Sequence, residues 1–154
     1  MMTKTTPRMG QALPAAHRGR LMGVARQVNF PEGARLFEEG GRADRFWIIR
    51  SGTVALDMHV PGRRPAVIEM LGFGELVGWS WLFEPYRWQL GAETMSPVRA
   101  HEFDAELVRD MCDADADLGR RVGHWVGEVL SHRLQAARIR LLDLYAPHGS
   151  GFPR

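Results

Sequence analysis

The sequence predicts a mainly β domain of sandwich, roll or barrel type with flanking helices, ending in one long C-terminal helix. Two observations carry this reading. Short apolar runs separated by Gly- and Pro-containing turns recur from Val28 to about Phe103, the pattern of many short strands at regular spacing. After Pro97 the apolar period changes to steps of three and four, which is helical. The 154 residues suffice for one core and exclude two full domains. With 45% hydrophobic and 25% charged residues, the composition also excludes a wholly disordered or fibrous chain.

Taken in order, Asn29-Phe30-Pro31-Glu32-Gly33 reads as a turn, Arg35-Leu36-Phe37 as a short strand and Glu39-Gly40-Gly41 as the next turn, where glycine takes positive φ at little cost. Phe46-Trp47-Ile48-Ile49 is a buried strand. Ser51-Gly52 turns into Thr53-Val54-Ala55-Leu56-Asp57-Met58, whose alternation marks one wet and one buried face. Pro61-Gly62-Arg63-Arg64-Pro65 is a hairpin tip, and Ala66-Val67-Ile68-Glu69-Met70-Leu71 returns from it. Asp104 can cap a short helix over about 105–111, and Asp113 or Asp115 a long one over about 117–145. Along the latter, Val122, Trp125, Val126, Val129, Leu130, Leu134, Ala137, Leu141 and Leu144 form one apolar stripe. At 1.5 Å per residue this helix is about 43 Å long, more than a small barrel can cover. The expectation is a two-fold homodimer whose interface holds Val122, Trp125, Val126, Val129, Leu130, Leu134, Ala137 and Leu141.

Charge is nearly balanced, with 20 basic against 18 acidic residues, but it is unevenly placed. Residues 1–26 carry Lys4, Arg8, Arg18, Arg20 and Arg26 and no acid, so residues 1–19 are expected to be a basic, disordered tail. Residues 20–145 are then the domain, and 146–154 a flexible Gly/Pro-containing tail. The single cysteine, Cys112, allows no intramolecular disulfide and fits a reducing compartment. With no apolar run of about 20 residues and no signal sequence, the expectation is a cytoplasmic protein with no membrane partner.

The motifs Phe30-Pro31-Glu32-Gly33-Ala34-Arg35-Leu36-Phe37-Glu38-Glu39-Gly40, Phe46-Trp47-Ile48-Ile49, Ser51-Gly52-Thr53-Val54, Gly72-Phe73-Gly74-Glu75-Leu76-Val77-Gly78 and Ala92-Glu93-Thr94 occur in an informative order. It resembles that of the cyclic-nucleotide-binding domain of the catabolite activator protein family, over about residues 20–145. The resemblance implies a β-roll, the jelly-roll-like double-stranded β-helix, followed by a dimerising helix. It also implies a phosphate cassette after Gly74-Glu75. There, backbone N–H groups cradle the phosphate, an Arg pairs with it, a Ser or Thr adds a hydrogen bond and a Glu takes the ribose 2′-hydroxyl.

Matching Gly78 to the cassette glycine puts Trp79 where that Glu belongs, and an indole has no acceptor. The loop is about three residues shorter than in established members. Anchoring on Ala92 and Thr94 therefore puts Tyr86 at the Arg position, and a one-residue shift puts Arg87 there and Trp88 at the Ser/Thr position. The candidate ligand residues are Gly74, Glu75, Gly78, Trp79, Ser80, Tyr86, Arg87 and Trp88. The aromatic-rich run Trp79 to Trp88 has three readings: a plug in the old pocket, a flatter site using stacking and cation–π contact with Arg87, or a partner surface.

The expected function is a non-enzymatic ligand-sensing or adaptor module that does not bind cyclic AMP tightly and docks a separate effector protein. The alternative is a genuine cyclic-nucleotide-binding regulator with Arg87 on the phosphate. No cofactor is expected beyond a small-molecule or nucleotide effector. No metal is expected either, since His124 and His132, with Glu128 between them, are read as solvated or dimer-edge residues. Arg120, Arg121, Arg133, Arg138 and Arg140 are read as the wet face of the helix. Nine residues follow Tyr145, too few for a helix-turn-helix, so sequence-specific DNA binding is not expected. Cys112 sits among acids that raise a thiol pKa, and no catalytic constellation appears.

Overall fold

A computed structural model describes residues 8–145. Two short helices, α1 (Met9–Ala12) and α2 (Ala15–Gly23), precede eight strands: β1 (Arg26–Phe30), β2 (Arg35–Phe37), β3 (Arg45–Ser51), β4 (Val54–Met58), β5 (Ala66–Leu71), β6 (Leu76–Val77), β7 (Gly91–Thr94) and β8 (Val98–Asp104). A 3-10 turn at Ser80–Leu82 separates β6 from β7, and α3 (Ala105–Ala114) and α4 (Ala116–Tyr145) close the chain. The strands form two antiparallel four-stranded sheets, β1-β8-β3-β6 and β2-β7-β4-β5, which make the expected roll. Between them lies one core containing Phe46, Val54, Leu56, Leu76, Val77 and Phe103. The Ser51-Gly52 turn needs glycine: φ is 93° there, and a Cβ would lie 2.3 Å from the Pro97 carbonyl oxygen.

Both helix starts are capped as the sequence suggests. Asp104 accepts from Leu107 N at 3.1 Å, and Asp115 accepts from Asp117 N and Leu118 N at 3.1 and 3.2 Å.

The N-terminal segment departs from expectation. From residue 8 onward it is ordered rather than a disordered tail, because α1 and α2 bring Met9, Leu13 and Leu21 into the core. Its polar side chains are used within the chain: Arg20 pairs with Asp115 Oδ2 at 2.6 Å, and His17 Nε2 lies 2.6 Å from Asp117 Oδ2. These pairs fasten α2 to the first turn of α4. Residues 1–7 of the tail expected at 1–19, and the tail expected at 146–154, lie outside the described residues.

Helix α4 divides in two. Leu118, Val122, Trp125, Val126 and Val129 are buried against the chain's own body, with α3 and α1 beside the helix. Val122, Trp125, Val126 and Val129 therefore offer no surface to a second copy, which corrects their assignment to a dimer interface. The distal half projects: Leu134, Leu141 and Leu144 are 53%, 54% and 77% exposed, and Ala137 is exposed with them. Leu130 lies at the boundary, partly buried. The stripe is continuous in sequence, but the body ends about halfway along it.

Candidate functional site

The loop between β6 and β7 is organised by two indoles. Strand β6 pairs with Trp47 and Ile48 of β3, and Gly78 then turns the chain with φ of 96°. Trp81, fully buried, donates Nε1–H to the Gly78 carbonyl at 3.0 Å and stacks on Phe46 with ring centroids 4.0 Å apart. Trp88 returns across the same glycine. Its ring stacks on Phe37 at 3.9 Å, and a Cβ at position 78 would lie 2.6 Å from it. Gly78 thus serves here as the seat of an indole, and only a residue without a side chain permits this approach. The groove bounded by Phe37, Gly78, Trp79, Ser80, Trp88 and Leu90 keeps about 20 Å³ of free volume. Small-molecule sites typically enclose roughly 300–1,000 Å³.

Four of the eight candidate residues come together here: Gly78, Trp79, Ser80 and Trp88. Trp79 is half-buried and packs edge-to-face on Phe83 at 6.1 Å. The other four lie elsewhere. Gly74 and Glu75 shape the preceding turn, where Glu75 Oε2 accepts from Gly72 N at 2.8 Å and Gly74 N donates to the Ile49 carbonyl at 2.8 Å. Tyr86 has φ of 56° and its ring lies 4.1 Å from the Arg109 guanidinium carbon. Arg87 is exposed outside the groove and reaches the Gly40 carbonyl at 3.4 Å. Of Tyr86, Arg87 and Trp88, it is Trp88 that turns into the groove.

Five groove residues, Phe37, Leu56, Gln89, Leu90 and Arg133, were not among the candidates, and Arg133 is the charged one. Arg133, read as part of the wet face of the helix, is instead packed beneath the cassette from α4. Its Nη2 donates to the Leu76 carbonyl, while Nε and Nη1 are buried without a hydrogen-bond partner. Burial holds this guanidinium below its ordinary pKa, with Glu69 and Glu75 acting in the opposite sense. Burial likewise pushes the Glu69 carboxyl up, against the pull of Arg133. The available signal was spacing, since Arg133 follows the fully buried Val129 by four residues on the same helix face.

A larger, more polar cleft of about 610 Å³ opens beside β1, β8 and α3, near Tyr86 and Arg109. Its carboxylate centre already has partners: Glu102 accepts from Trp47 Nε1 at 3.0 Å, pairs with Arg26, and lies 3.6 Å from Arg45. Size therefore does not make this cleft the better candidate. Among the described residues, no group of three or more His, Cys, Asp or Glu side chains is placed to hold a metal, and no helix is long and apolar enough to cross a membrane. Burial, then Asp113 and Asp115, push the Cys112 thiol up, which disfavours a nucleophilic thiolate.

Residues 27–115, more than half of the chain, match the cyclic nucleotide-binding domain family. The chain belongs to that family. Among curated proteins it is 29% identical over 117 residues to the CRP-like cAMP-activated global transcriptional regulator of Mycobacterium tuberculosis, covering 76% of this chain and 50% of the relative. It thus spans about half the length of that regulator. Among solved structures, a cyclic nucleotide-binding domain from Methylobacillus flagellatus superposes with a TM-score of 0.76 at 17% identity, covering 84% of this chain and 73% of the other. The c-di-GMP responsive global regulator CLP of Xanthomonas campestris gives 0.74 at 20% identity, covering 85% and 64%. The Thermus thermophilus catabolite activator protein gives 0.69 at 21%, covering 87% and 61%. These likenesses establish the fold, and the roll with its long terminal helix is that of the family.

Proposed function

We propose that this chain is a non-catalytic regulatory module of the cyclic nucleotide-binding type, a ligand sensor or adaptor whose cassette has moved away from ordinary cyclic-nucleotide recognition. The observation that carries this is the Trp88 ring seated on Gly78, where the family resemblance places the phosphate cradle. The resemblance puts Trp79 at the position of the ribose-binding carboxylate, and Arg87 lies outside the groove. Each missing buried contact to a charged or hydroxyl group costs about 1.5–3 kcal/mol. Two losses weaken a micromolar site by roughly two to four powers of ten. The exposed distal half of α4, with Leu134 and Leu141, supports self-association or the docking of an effector.

The test is calorimetric titration with cyclic AMP and cyclic GMP. No binding tighter than about 100 µM is expected by the same arithmetic. A low-micromolar dissociation constant abolished by Arg87→Ala would overturn the reading in favour of a cyclic-nucleotide regulator.

A further inference from the structure

The cassette groove has a feature that a simple aromatic plug does not need. A plugged pocket would be expected to be lined by apolar groups, because a buried charge without partners is destabilising. Instead α4 places the Arg133 guanidinium at its base. One of its N–H groups is satisfied by the Leu76 carbonyl, and Nε and Nη1 are buried without a partner. Glu69 and Glu75 act on it electrostatically, yet no carboxylate accepts from those two atoms. Nε–H and Nη1–H lie on different edges of the guanidinium, each beside Nη2, so either edge brings an anion one donor that has no partner in the chain.

The geometry also limits the ligand's shape. A volume of about 20 Å³ is little more than the roughly 10–15 Å³ that one water needs. Only the narrow end of a ligand can reach Arg133 while Trp88 remains in place. The rest would lie along Trp79, Gln89 and Leu90, of which Gln89 is exposed and Trp79 half-buried. A terminal carboxylate or phosphate monoester fits this requirement. A cyclic phosphodiester, flanked by its ring, does not.

We propose that Arg133 is the anchor of a site for small molecules with a terminal carboxylate or phosphate, approached past Trp79 and separate from the Gly78 cradle that Trp88 occupies. This deepens the reading above and rests on it only in taking the cradle as filled.

The experiment titrates the full chain with sodium phosphate and, separately, sodium acetate. Thermal unfolding and tryptophan fluorescence are the readouts, and Arg133→Met is run at matched salt. In the wild type, saturable fluorescence change and a rise in Tm of several degrees at a hundredfold excess over Kd are expected. In Arg133→Met both responses vanish, while its Tm without anion equals or exceeds that of the wild type, because an unpaired buried charge has been removed. Arg133→Lys keeps the charge but not the fork; it should bind phosphate at least tenfold more weakly and serves as the readout if the Met variant does not fold. Identical responses in wild type and both variants, or none to either anion, would overturn the anchor. Cyclic AMP titrated in parallel separates the two readings. Tight cyclic AMP binding without a phosphate response sinks the reading of the filled cradle and the anchor together, whereas a phosphate response without cyclic AMP binding supports both.

Discussion

Replacing Trp88 by alanine is the most direct way to ask whether this indole is structural fill. The side chain is 5% exposed and stacks on Phe37 at 3.9 Å, with Trp47 at 6.5 Å. A buried tryptophan removes about 150–250 Å² from water, which at about 25 cal/mol per Å² is worth roughly 4–6 kcal/mol. Measured losses for Trp→Ala cores fall at about 3–5 kcal/mol, so about 4 is the working figure. Domains have about 5–15 kcal/mol in total, so the variant should still fold, but weakly. With a urea m-value of about 2 kcal/mol/M, its midpoint falls by about 2 M. The vacated space lies between Phe37 and Gly78, the shape of the ring that left, and free indole should fill it. At a hundredfold excess over Kd, indole restores about 2.7 kcal/mol, or about 1.3 M of midpoint. Urea unfolding followed by circular dichroism, with and without indole, reads both quantities. A midpoint loss below about 0.5 M, or a variant unmoved by indole, would refute the account of Trp88 as the ring that fills the cradle.

Gly78→Ala must place a Cβ 2.6 Å from the Trp88 ring at a left-handed φ. It should destabilise by about 2–4 kcal/mol in urea, and by clearly less in a Trp88→Ala background, since the two changes share one contact. Leu134→Glu with Leu141→Glu should leave Tm within a few degrees of wild type, because both side chains are more than half exposed. The same pair should convert a dimer to a monomer in analytical ultracentrifugation, and a wild type already monomeric at micromolar concentration would remove the claim. Asp117 is held well below the ordinary carboxylate range by hydrogen bonds from His17, Arg120 and Arg121. Its contribution is thus present above about pH 4 and lost only as pH falls through the lowered folded value. Asp117→Asn should therefore lower stability at pH 5–6 and converge on the wild type in strong acid; an effect that instead grows on acidification would contradict the assignment.

Much of the roll was readable because its determinants are local. Glycine at Gly52, and Asp104 and Asp115 ahead of apolar helices, each act within a few residues; the alternation in Val54–Met58 located the strand but not its faces, since Val54, Ala55, Leu56 and Asp57 are all buried. What was not readable depends on distant partners. Nothing in Ala15–Gly23 marks it as ordered; its anchors, Asp115 and Asp117, lie 95 and 100 residues away in sequence from Arg20 and His17. Which of Tyr86, Arg87 and Trp88 enters the groove depends on the path of the loop, and a left-handed tyrosine there is rare enough that no pattern predicts it. The extent of the body beneath α4 is likewise a tertiary quantity. A uniform stripe from Val122 to Leu144 gives no sign of where covering stops, so Val129 in the core and Leu134 in the open look alike in sequence.

The boundary of that covering is also where the site meets the rest of the helix. Arg133 is the last α4 side chain in the groove, and Leu134 begins the exposed distal surface. Adjacent residues on one helix cannot move independently, so any displacement of α4 that frees the Arg133 guanidinium into water also moves the Leu134–Leu144 surface. Two unsatisfied donors at a buried guanidinium disfavour the seated helix by about 1–3 kcal/mol each, with larger penalties for charged groups. An anion that satisfies them removes that disadvantage only while the helix stays seated, which is the differential affinity a conformational response requires. Coupling energies between sites of about 1–3 kcal/mol correspond to changes of about 5–150-fold in affinity. Two such donors at Arg133 come to about 2–6 kcal/mol, at or above that range. If Arg133 anchors an anion as proposed, that anion and a partner on the distal half of α4 are linked through one helix, and reciprocity requires that the partner alter anion affinity by the same factor.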